Sequence, residues 1–364
     1  MARKGTNLQT RDKTVLLLTD FFMPLRHILP TIEALVKNRN KLIVVSFFEQ
    51  SSLAVVAGKI AETLGRKFID LPQSSPRLPE YDIPHLYFVR DAGLLSRLPA
   101  GDIALVENLN LLSEAEMAGV AGKAQVFVND DFSADSSRVK LLQRQLPATY
   151  GLLAAAIKSK LNHFRSQNRK PMVLLLGGVT LEDKEVFIDK LMARADHILA
   201  GGEVANLFLS LRGYEIGKSS VGNKNTEKFA KQFLRDYGHK IKLPKDIIVA
   251  ATPEGPASCK NVDQVRPKDT IWDIGPQTIL EFSKYIKLAK TLVWCGAFGR
   301  VEMPRFRHGT SALLRLAASR TGLPDTIFAA SGPAVLKLLD NEELFDDLDL
   351  VLPRSATLLQ ALTD

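Results

Sequence analysis

The stretch Leu174-Leu-Leu-Gly-Gly-Val-Thr-Leu-Glu-Asp-Lys184 joins the end of an apolar strand to a diglycine turn and the start of a helix. This pattern is typical of an α/β domain, in which glycine lets backbone N–H groups approach an anion at the carboxyl edge of a parallel sheet. Lys184 follows Gly177 by seven residues, but Asp183 stands where a Walker A loop has glycine. The stretch therefore predicts a ligand-binding edge without a Walker A loop.

The same alternation of short apolar runs and helical segments extends from Thr14 to Thr363, which predicts a parallel sheet covered by helices. In the first half, we predict a helix over 29–37 and strands over 14–19, 41–46, 103–106 and 125–128. In the second half, we predict strands over 172–176, 197–200, 247–251, 291–294 and 326–329. Four of these five end in small residues or run into glycine, so the second half is the expected ligand binder.

Residues 147–166 space their apolar side chains three and four apart, which predicts one long amphipathic helix. We interpret this helix as a connector between two domains. The expected organisation is a Rossmann-like domain over 1–147, an interdomain helix over 148–168 and a second Rossmann-like domain over 169–364.

The composition narrows the classes of function. A formal net charge of +8 suits anionic ligands, but the sequence has no RNP-like motif and no Cys/His finger spacing, so nucleic-acid binding is not expected. Two cysteines without metal-ligand spacing suit a reducing compartment, and six scattered histidines suggest no metal site on protein ligands alone. With no signal-peptide pattern and no membrane-spanning stretch, we expect a cytoplasmic protein that does not bind membranes.

Several further motifs occur in a fixed order along the chain. They are Leu29-Pro-Thr-Ile32, Leu105-Val-Glu-Asn108, Phe127-Val-Asn-Asp-Asp-Phe132, Ala200-Gly-Gly-Glu-Val-Ala205, Arg212-Gly-Tyr-Glu-Ile-Gly-Lys-Ser219, Asp273-Ile-Gly-Pro-Gln-Thr278, Trp294-Cys-Gly-Ala-Phe-Gly299 with Glu302, and Phe306-Arg-His-Gly-Thr310. In this order and spacing, and over nearly the whole chain, they resemble phosphoglycerate kinase.

The resemblance implies two Rossmann-like domains joined by a long helix, which close to move a phosphoryl group between ATP and 3-phosphoglycerate. It places the acid substrate on the first domain and ATP or ADP with magnesium on the second. We expect a monomer unless a protein partner binds. The family runs on into a tail beyond the segment equivalent to 356–359, and we expect the coupling between the domains to differ here.

On the acid side, the resemblance assigns substrate binding to Asp20, Arg26 and Arg138, but this sequence departs from the family at each anion contact. The family's Asp-Phe-Asn motif is Asp20-Phe-Phe22, and Arg26 lies near the catalytic arginine's place rather than at it. Asn110 replaces another arginine, and Arg138 is shifted by one position. Each arginine–phosphate bond contributes about 1.5–3 kcal/mol, so we expect weak binding of 3-phosphoglycerate.

On the nucleotide side, Thr180 replaces the first lysine of the family's pair, and Lys184 keeps the second. The family's Gly-Gly-Gly-Asp-Thr is 329–333 here, without the metal-linked aspartate and without the hydroxyl. The remaining catalytic candidates are Lys184 and Arg26. Removing one preorganised donor costs about a hundred- to a thousandfold in rate, so fast transfer is not expected.

The adenosine side keeps most of the family's residues. The resemblance assigns cofactor binding to Gly177, Gly178, Lys184, Gly201, Gly202, Gly296, Gly299 and Glu302, the last to the ribose. Close packing of strand against helix explains the glycines equally well, and Glu302 also fits an exposed loop carboxylate.

Three hypotheses follow from this uneven retention. The first is a phosphoglycerate kinase homologue with lost or much reduced transfer that binds nucleotide or a protein partner. The second is a divergent but active enzyme in which Arg26, Arg138, Arg300 or Arg305 and Lys184 rebuild the anion sites. The third is a kinase for another small carboxylic acid.

Overall fold

The computed structural model describes residues 8–71, 83–133, 136–144, 146–167, 169–178, 185–221 and 224–363. The chain divides into two compact units, Met1–Ser159 and Lys160–Asp364. Each unit has a sheet of parallel strands with helices packed on it, as the alternating pattern predicts.

The first unit has a seven-stranded sheet in the order β3-β4-β5-β2-β1-β6-β7, with parallel pairing throughout. Its strands are β1 (Thr14–Thr19), β2 (Lys41–Val45), β3 (Lys67–Asp70), β4 (His85–Val89), β5 (Ile103–Val106), β6 (Val126–Asp130) and β7 (Ala148–Tyr150). Its helices are α1 (Leu25–Lys37), α2 (Ala54–Thr63), α3 (Glu114–Ala121), α4 (Ser136–Gln143) and α5 (Leu152–Ser166), which crosses into the second unit. Residues Leu16 to Leu18 are fully buried, since helices cover both faces of a parallel sheet.

The second unit has a six-stranded parallel sheet in the order β10-β9-β8-β14-β15-β16. Its strands are β8 (Met172–Leu176), β9 (His197–Ala200), β10 (Ile241–Lys242), β14 (Thr291–Cys295), β15 (Ile327–Ser331) and β16 (Leu350–Leu352). Its helices are α6 (Glu185–Arg194), α7 (Gly202–Leu211), α8 (Lys224–Tyr237), α9 (Pro276–Leu288), α10 (His308–Ala318), α11 (Pro333–Asn341) and α12 (Ser355–Thr363). The strand order reverses between β8 and β14, so ligands are expected outside the carboxyl ends of these two strands.

A small antiparallel sheet in the second unit corrects one expectation. It contains β11 (Asp246–Ala250), β12 (Ser258–Asn261) and β13 (Thr270–Ile274) in the order β12-β11-β13. The strand predicted over 247–251 belongs here, not to the parallel series. The strand joins this sheet because the segment that follows it is short: residues 251–257 are irregular and return the chain beside β11, so β11 pairs with β12 antiparallel.

The segment over 147–166 is also divided differently from the prediction. Residues 148–150 form β7, which pairs with β6 as an exposed edge strand, and α5 begins only at Leu152. Gly151 separates the two, and a Cβ there would lie 2.2 Å from the Asp130 carboxyl group. The helical spacing therefore predicted α5 correctly, but the period could not reveal a three-residue edge strand before it.

Candidate functional site

Asp20, which the sequence assigns to substrate binding, follows β1 at the point where the first sheet reverses its strand order. The residue is buried, and one carboxylate oxygen accepts a hydrogen bond from the Phe22 N–H at 2.9 Å. This bond shapes the turn that leads out of β1. Asp20 thus has a structural role here, and its substrate role stays a prediction.

Arg26 and Arg138, the other two substrate candidates, lie on different elements of the first unit. Arg26 is exposed in the first turn of α1. Arg138, on α4, donates to the Asn110 side-chain oxygen at 2.7 Å, and its guanidinium lies 4.2 Å from the centre of the Phe47 ring. Asn110, at a position where the family has arginine, in turn donates to the Phe48 carbonyl. Arg138 and Asn110 therefore hold the loop after β2 by internal contacts.

A cavity of about 390 Å³ opens in the second unit at the carboxyl edge of its parallel sheet. Loops after β8, β9, β14 and β15 contribute to its wall, together with the start of α12 and residues of β13. Its lining residues are Gly178, Gly202, Glu203, Asn206, Lys218, Ser220, Thr270, Ile271, Trp272, Gly296, Ala297, Phe298, Gly299, Arg300, Glu302, Gly332, Pro333, Ala334 and Ser355. The cavity thus lies where the strand order predicts a ligand.

Two glycines bring the loops after β8 and β14 into contact. Gly178 and Gly296 have φ of +82° and +83°, values that residues with a Cβ rarely adopt. The Gly178 N–H donates to the Ala297 carbonyl at 2.7 Å, and a Cβ on Gly296 would lie 2.4 Å from the Gly177 oxygen. At these two glycines the wall of the cavity is backbone without a Cβ, which a ligand can approach closely.

Of the predicted cofactor residues, the structure brings five together in the cavity wall: Gly178, Gly202, Gly296, Gly299 and Glu302. Gly177 and Gly201 lie outside that wall. A Cβ on Gly177 would lie 2.3 Å from the Ala297 oxygen, and a Cβ on Gly201 would lie 2.2 Å from the Phe298 ring. These two are required for packing. Lys184 lies outside the described residues, and its role stays a prediction.

Three helices begin around the cavity: α7 at Gly202, α11 at Pro333 and α12 at Ser355. The free N–H groups and partial positive charge at a helix start favour an anion. The wall at the start of α11 consists of Gly332, Pro333 and Ala334, which offer neither a carboxylate nor a hydroxyl. This end of the cavity can hold an anion by backbone groups, but Gly332 and Pro333 offer a metal ion no side-chain ligand.

The Glu203 side chain lines the cavity from the first turn of α7 and is 12% exposed. Its Oε1 lies 3.6 Å from the Arg300 guanidinium, which is 44% exposed in the loop after β14. Burial raises the pKa of Glu203, while Arg300 and a hydrogen bond from the Ser220 hydroxyl act against that rise. Arg300, one of the arginines expected to rebuild an anion site, thus has a carboxylate partner.

Arg305, unlike Arg300, is not among the residues that line the cavity. Its guanidinium donates to the backbone carbonyls of Pro253 and Gly255. Those bonds hold the turn between β11 and β12. The expectation that Arg305 contacts an anion therefore receives no support from its geometry.

Beneath the cavity wall, Asp273, the residue before the last of β13, lies close to two glycines. Its carboxylate accepts the Gly309 N–H at 2.9 Å and its neighbour Ile274 N–H at 2.9 Å, and Gly299 packs against it. Burial raises the pKa of Asp273 to about 7 despite these two hydrogen bonds. Because Gly299 belongs to the wall, the Asp273 carboxyl group supports the cavity from below.

Reasoning from the sequence missed several wall residues, among them Glu203, Asn206, Lys218, Trp272 and Ser355. Glu203 directly follows the diglycine at 201–202, so a carboxylate one residue inside a helix start was the available signal. Of the others, Asn206 lies on α7, Trp272 on β13, Ser355 at the start of α12 and Lys218 in the loop after α7, and only tertiary packing brings them to one wall.

Neither a membrane-spanning helix nor a metal-binding cluster occurs among the described residues. None of the described helices is long and apolar enough to span a bilayer. Across the same residues, the His, Cys, Asp and Glu side chains form no group of three or more that could hold a metal ion.

Comparison with known proteins gives one consistent family. The family model described as phosphoglycerate kinase matches residues 6–363. Curated relatives named phosphoglycerate kinase include those of Dictyoglomus turgidum (30% identical; 95% of this chain and 93% of the relative) and Coprothermobacter proteolyticus (30% identical; 91% and 88%).

Solved structures agree on the fold. The phosphoglycerate kinase of Coxiella burnetii covers 98% of this chain and 95% of its own, with a TM-score of 0.65 at 24% identity. That of Pyrococcus horikoshii covers 97% and 94%, with a TM-score of 0.75 at 19% identity. The predicted fold class, two mostly parallel α/β sheets of this family's type, is confirmed.

Proposed function

Because the chain belongs to the phosphoglycerate kinase family, we propose that its second unit binds a magnesium nucleotide while phosphoryl transfer to 3-phosphoglycerate is lost or much reduced. The observation that carries this proposal is the composition of the cavity wall. Gly178, Gly202, Gly296, Gly299 and Glu302, which the family resemblance assigns to the adenosine side, all line one cavity. A volume of about 390 Å³ lies within the range of small-molecule sites.

The transfer end of the same cavity supports the second half of the proposal. Gly332 and Pro333 occupy the positions of the family's Asp-Thr pair at the start of α11, and proline there has no N–H to donate. The sequence also has Thr180 in place of the first lysine. Transfer relies on charge neutralisation around the moving phosphoryl group, so each missing group slows the reaction.

Contacts of the shifted arginines point in the same direction. Arg138 bonds to Asn110, Arg300 pairs with Glu203, and Arg305 bonds to two backbone carbonyls. A guanidinium held in such contacts must break them to bind a phosphate, which offsets part of the gain. These contacts favour reduced transfer over a rebuilt anion site.

Calorimetric titration with magnesium ADP tests the nucleotide half of the proposal. Ala334 is half-buried in the cavity wall on α11, and we expect Ala334→Trp to fill the cavity and abolish binding. The matched control is Ala312→Trp on the exposed face of α10, which should bind as the wild type does. Wild-type protein that binds no nucleotide at about 1 mM would overturn the proposal.

Glu302 provides a sharper test of ligand orientation. It is an exposed carboxylate in the cavity wall, and the family resemblance assigns it to the ribose. We expect Glu302→Gln to weaken binding of magnesium ADP about tenfold, since a hydrogen bond to a charged acceptor contributes about 1.5 kcal/mol or more. Binding of 2′,3′-dideoxy-ADP, which lacks the hydroxyls, should hardly change. Equal losses for both nucleotides would show that Glu302 does not contact the ribose.

A further inference from the structure

Trp272 is an aromatic side chain in the cavity wall that the proposed function does not explain. It lies just before the motif that begins at Asp273, and none of the motifs that carry the family resemblance includes it. Trp272 lines the cavity and keeps part of its surface accessible, whereas the other tryptophan, Trp294, is fully buried. Tryptophan is highly buried on average in folded proteins. An indole that stays accessible inside a cavity indicates contact with a ligand.

Internal contacts hold the Trp272 ring in one position and leave it only apolar surface to offer. Its Nε1–H donates to the Ala250 carbonyl at 3.0 Å. The indole stacks on the ring of Phe306, which is fully buried, with centroids 5.3 Å apart and planes inclined by 19°. Phe306 therefore covers one face, and Ala250 occupies the one polar atom of the indole. The surface left for a ligand is aromatic, and its broadest part is the face turned away from Phe306.

The backbone of Trp272 ties β13 to the loop that carries Glu302. The Arg300 N–H donates to the Trp272 carbonyl at 3.2 Å, two residues before Glu302. All three residues line the cavity. The family resemblance assigns Glu302 to the ribose, and the base of a nucleotide is bonded directly to its ribose. A ribose held at Glu302 thus leaves the base close to β13.

The strand order places the anion-binding helix start away from Trp272. α11 follows β15, whereas α7, which packs against β13, follows β9. The order β9-β8-β14-β15 separates β9 from β15 by three strand spacings, or about 14 Å. With phosphates at the start of α11, the base of a bound nucleotide lies toward β13.

Resting on the proposed nucleotide binding, we infer that Trp272 stacks on the base of the bound nucleotide and selects a purine over a pyrimidine. A purine offers two fused rings where a pyrimidine offers one, so the two-ring indole overlaps a purine more fully. Ala250 and Phe306 already fix the indole, so stacking orders few further groups and keeps most of its gain. Stacking on an aromatic side chain changes the affinity for a base about five- to a hundredfold.

The test is calorimetric titration of the full chain with magnesium ADP and magnesium CDP, which differ only in the base. We expect wild-type protein to bind ADP at least about fivefold more tightly than CDP. Trp272→Leu should weaken ADP about tenfold and CDP by a smaller factor. Trp272→Phe should keep most of the ADP affinity, because it keeps a π-face. Both substitutions remove the hydrogen bond to Ala250, so the difference between them measures stacking.

Fluorescence gives a second readout of the same contact. A base stacked on Trp272 shields the indole from acrylamide, so saturating magnesium ADP should reduce acrylamide quenching of the wild type. In Trp272→Phe the remaining tryptophan is Trp294, which is fully buried, and ADP should leave its quenching unchanged. Emission from Trp294 also shows that the second unit of each variant is folded.

The outcomes separate this inference from the function on which it rests. Equal affinities of the wild type for ADP and CDP, or equal losses for both in Trp272→Leu, overturn the inference alone. So does a Trp272→Phe variant that binds ADP as weakly as Trp272→Leu, or acrylamide quenching of the wild type that ADP leaves unchanged. Failure of both nucleotides to bind overturns the proposed nucleotide binding and the inference together.

Discussion

Between pH 4 and pH 8, the free energy of unfolding of Asp273→Asn is expected to rise by about 4 kcal/mol relative to that of the wild type. Burial raises the pKa of Asp273 from 3.8 to about 7, so the folded second unit holds a proton there that the unfolded chain has released. The folded state therefore binds more protons throughout that interval. The stability that this proton contributes is fully present below pH 4 and is lost as the pH rises through about 7.

Urea unfolding of the second unit measures this effect directly, because Trp272 and Trp294 both report on it. The free energy of unfolding of Asp273→Asn minus that of wild type should rise with pH, since asparagine never ionises. The difference between the two proteins cancels the contributions of other titrating groups. Asp263→Asn, at an exposed position, controls for the chemical change. A difference that is the same at pH 4 and pH 8 would show that Asp273 titrates normally.

Arg66→Met is expected to destabilise the first unit by about 3–5 kcal/mol. The Arg66 guanidinium lies 3.6 Å from an Asp102 oxygen, and the two side chains are only 9% and 11% exposed. Arg66 also donates to the His85 carbonyl, and Asp102 accepts the His85 N–H, so the pair ties the starts of β3, β4 and β5 together. Removing the cation leaves a buried carboxylate without its counter-charge.

Hydrogen exchange of the β4 amides measures this loss of stability. Tryptophan fluorescence does not report on the first unit, because both tryptophans lie in the second. Arg66→Met with Asp102→Asn should be less destabilised than the single Arg66 variant, since no uncompensated charge remains. The control is Arg11→Met: Arg11 and Asp12 form an exposed pair, 72% and 58% exposed, that contributes at most about 1 kcal/mol. Equal effects at Arg66 and Arg11 would contradict the account of the buried pair.

The sequence predicted the strands whose apolar runs are bounded by turn residues. β1, β5, β8 and β9 have the expected bounds, and β2, β6, β14 and β15 differ by one or two residues. Strands that are buried on both faces are continuous apolar runs in the sequence, and these runs predicted the strands. α1 begins at Leu25 rather than at 29, and Pro30 lies inside the helix.

The elements that the sequence could not reveal are short or depend on distant neighbours. β7 has three residues, all exposed, and becomes a strand only by pairing with β6. β11 has the composition of a parallel strand but pairs antiparallel with β12 and β13. Sheet membership is a tertiary property that periodicity does not encode. The assignment of 148–168 as an interdomain connector stays a prediction.

For the site, the glycine motifs lie at strand ends that border the cavity, and the binding role of each glycine stays a prediction. Gly178 and Gly296 line the cavity, whereas Gly177 and Gly201 serve packing. Both pairs look alike in sequence, since glycine is required wherever backbone or ring approaches closely. Glu203 was missed because a carboxylate in a helix's first turn usually means only a favourable dipole.

The central claim is that the nucleotide cavity persists while transfer chemistry is depleted, and a coupled assay with magnesium ATP and 3-phosphoglycerate tests it most directly. Measured beside the phosphoglycerate kinase of Dictyoglomus turgidum, this chain should turn over at least about ten-thousandfold more slowly, since at least two transition-state donors are missing. A rate within about a hundredfold of that relative, abolished by Lys184→Ala, would contradict the claim and establish a working divergent enzyme.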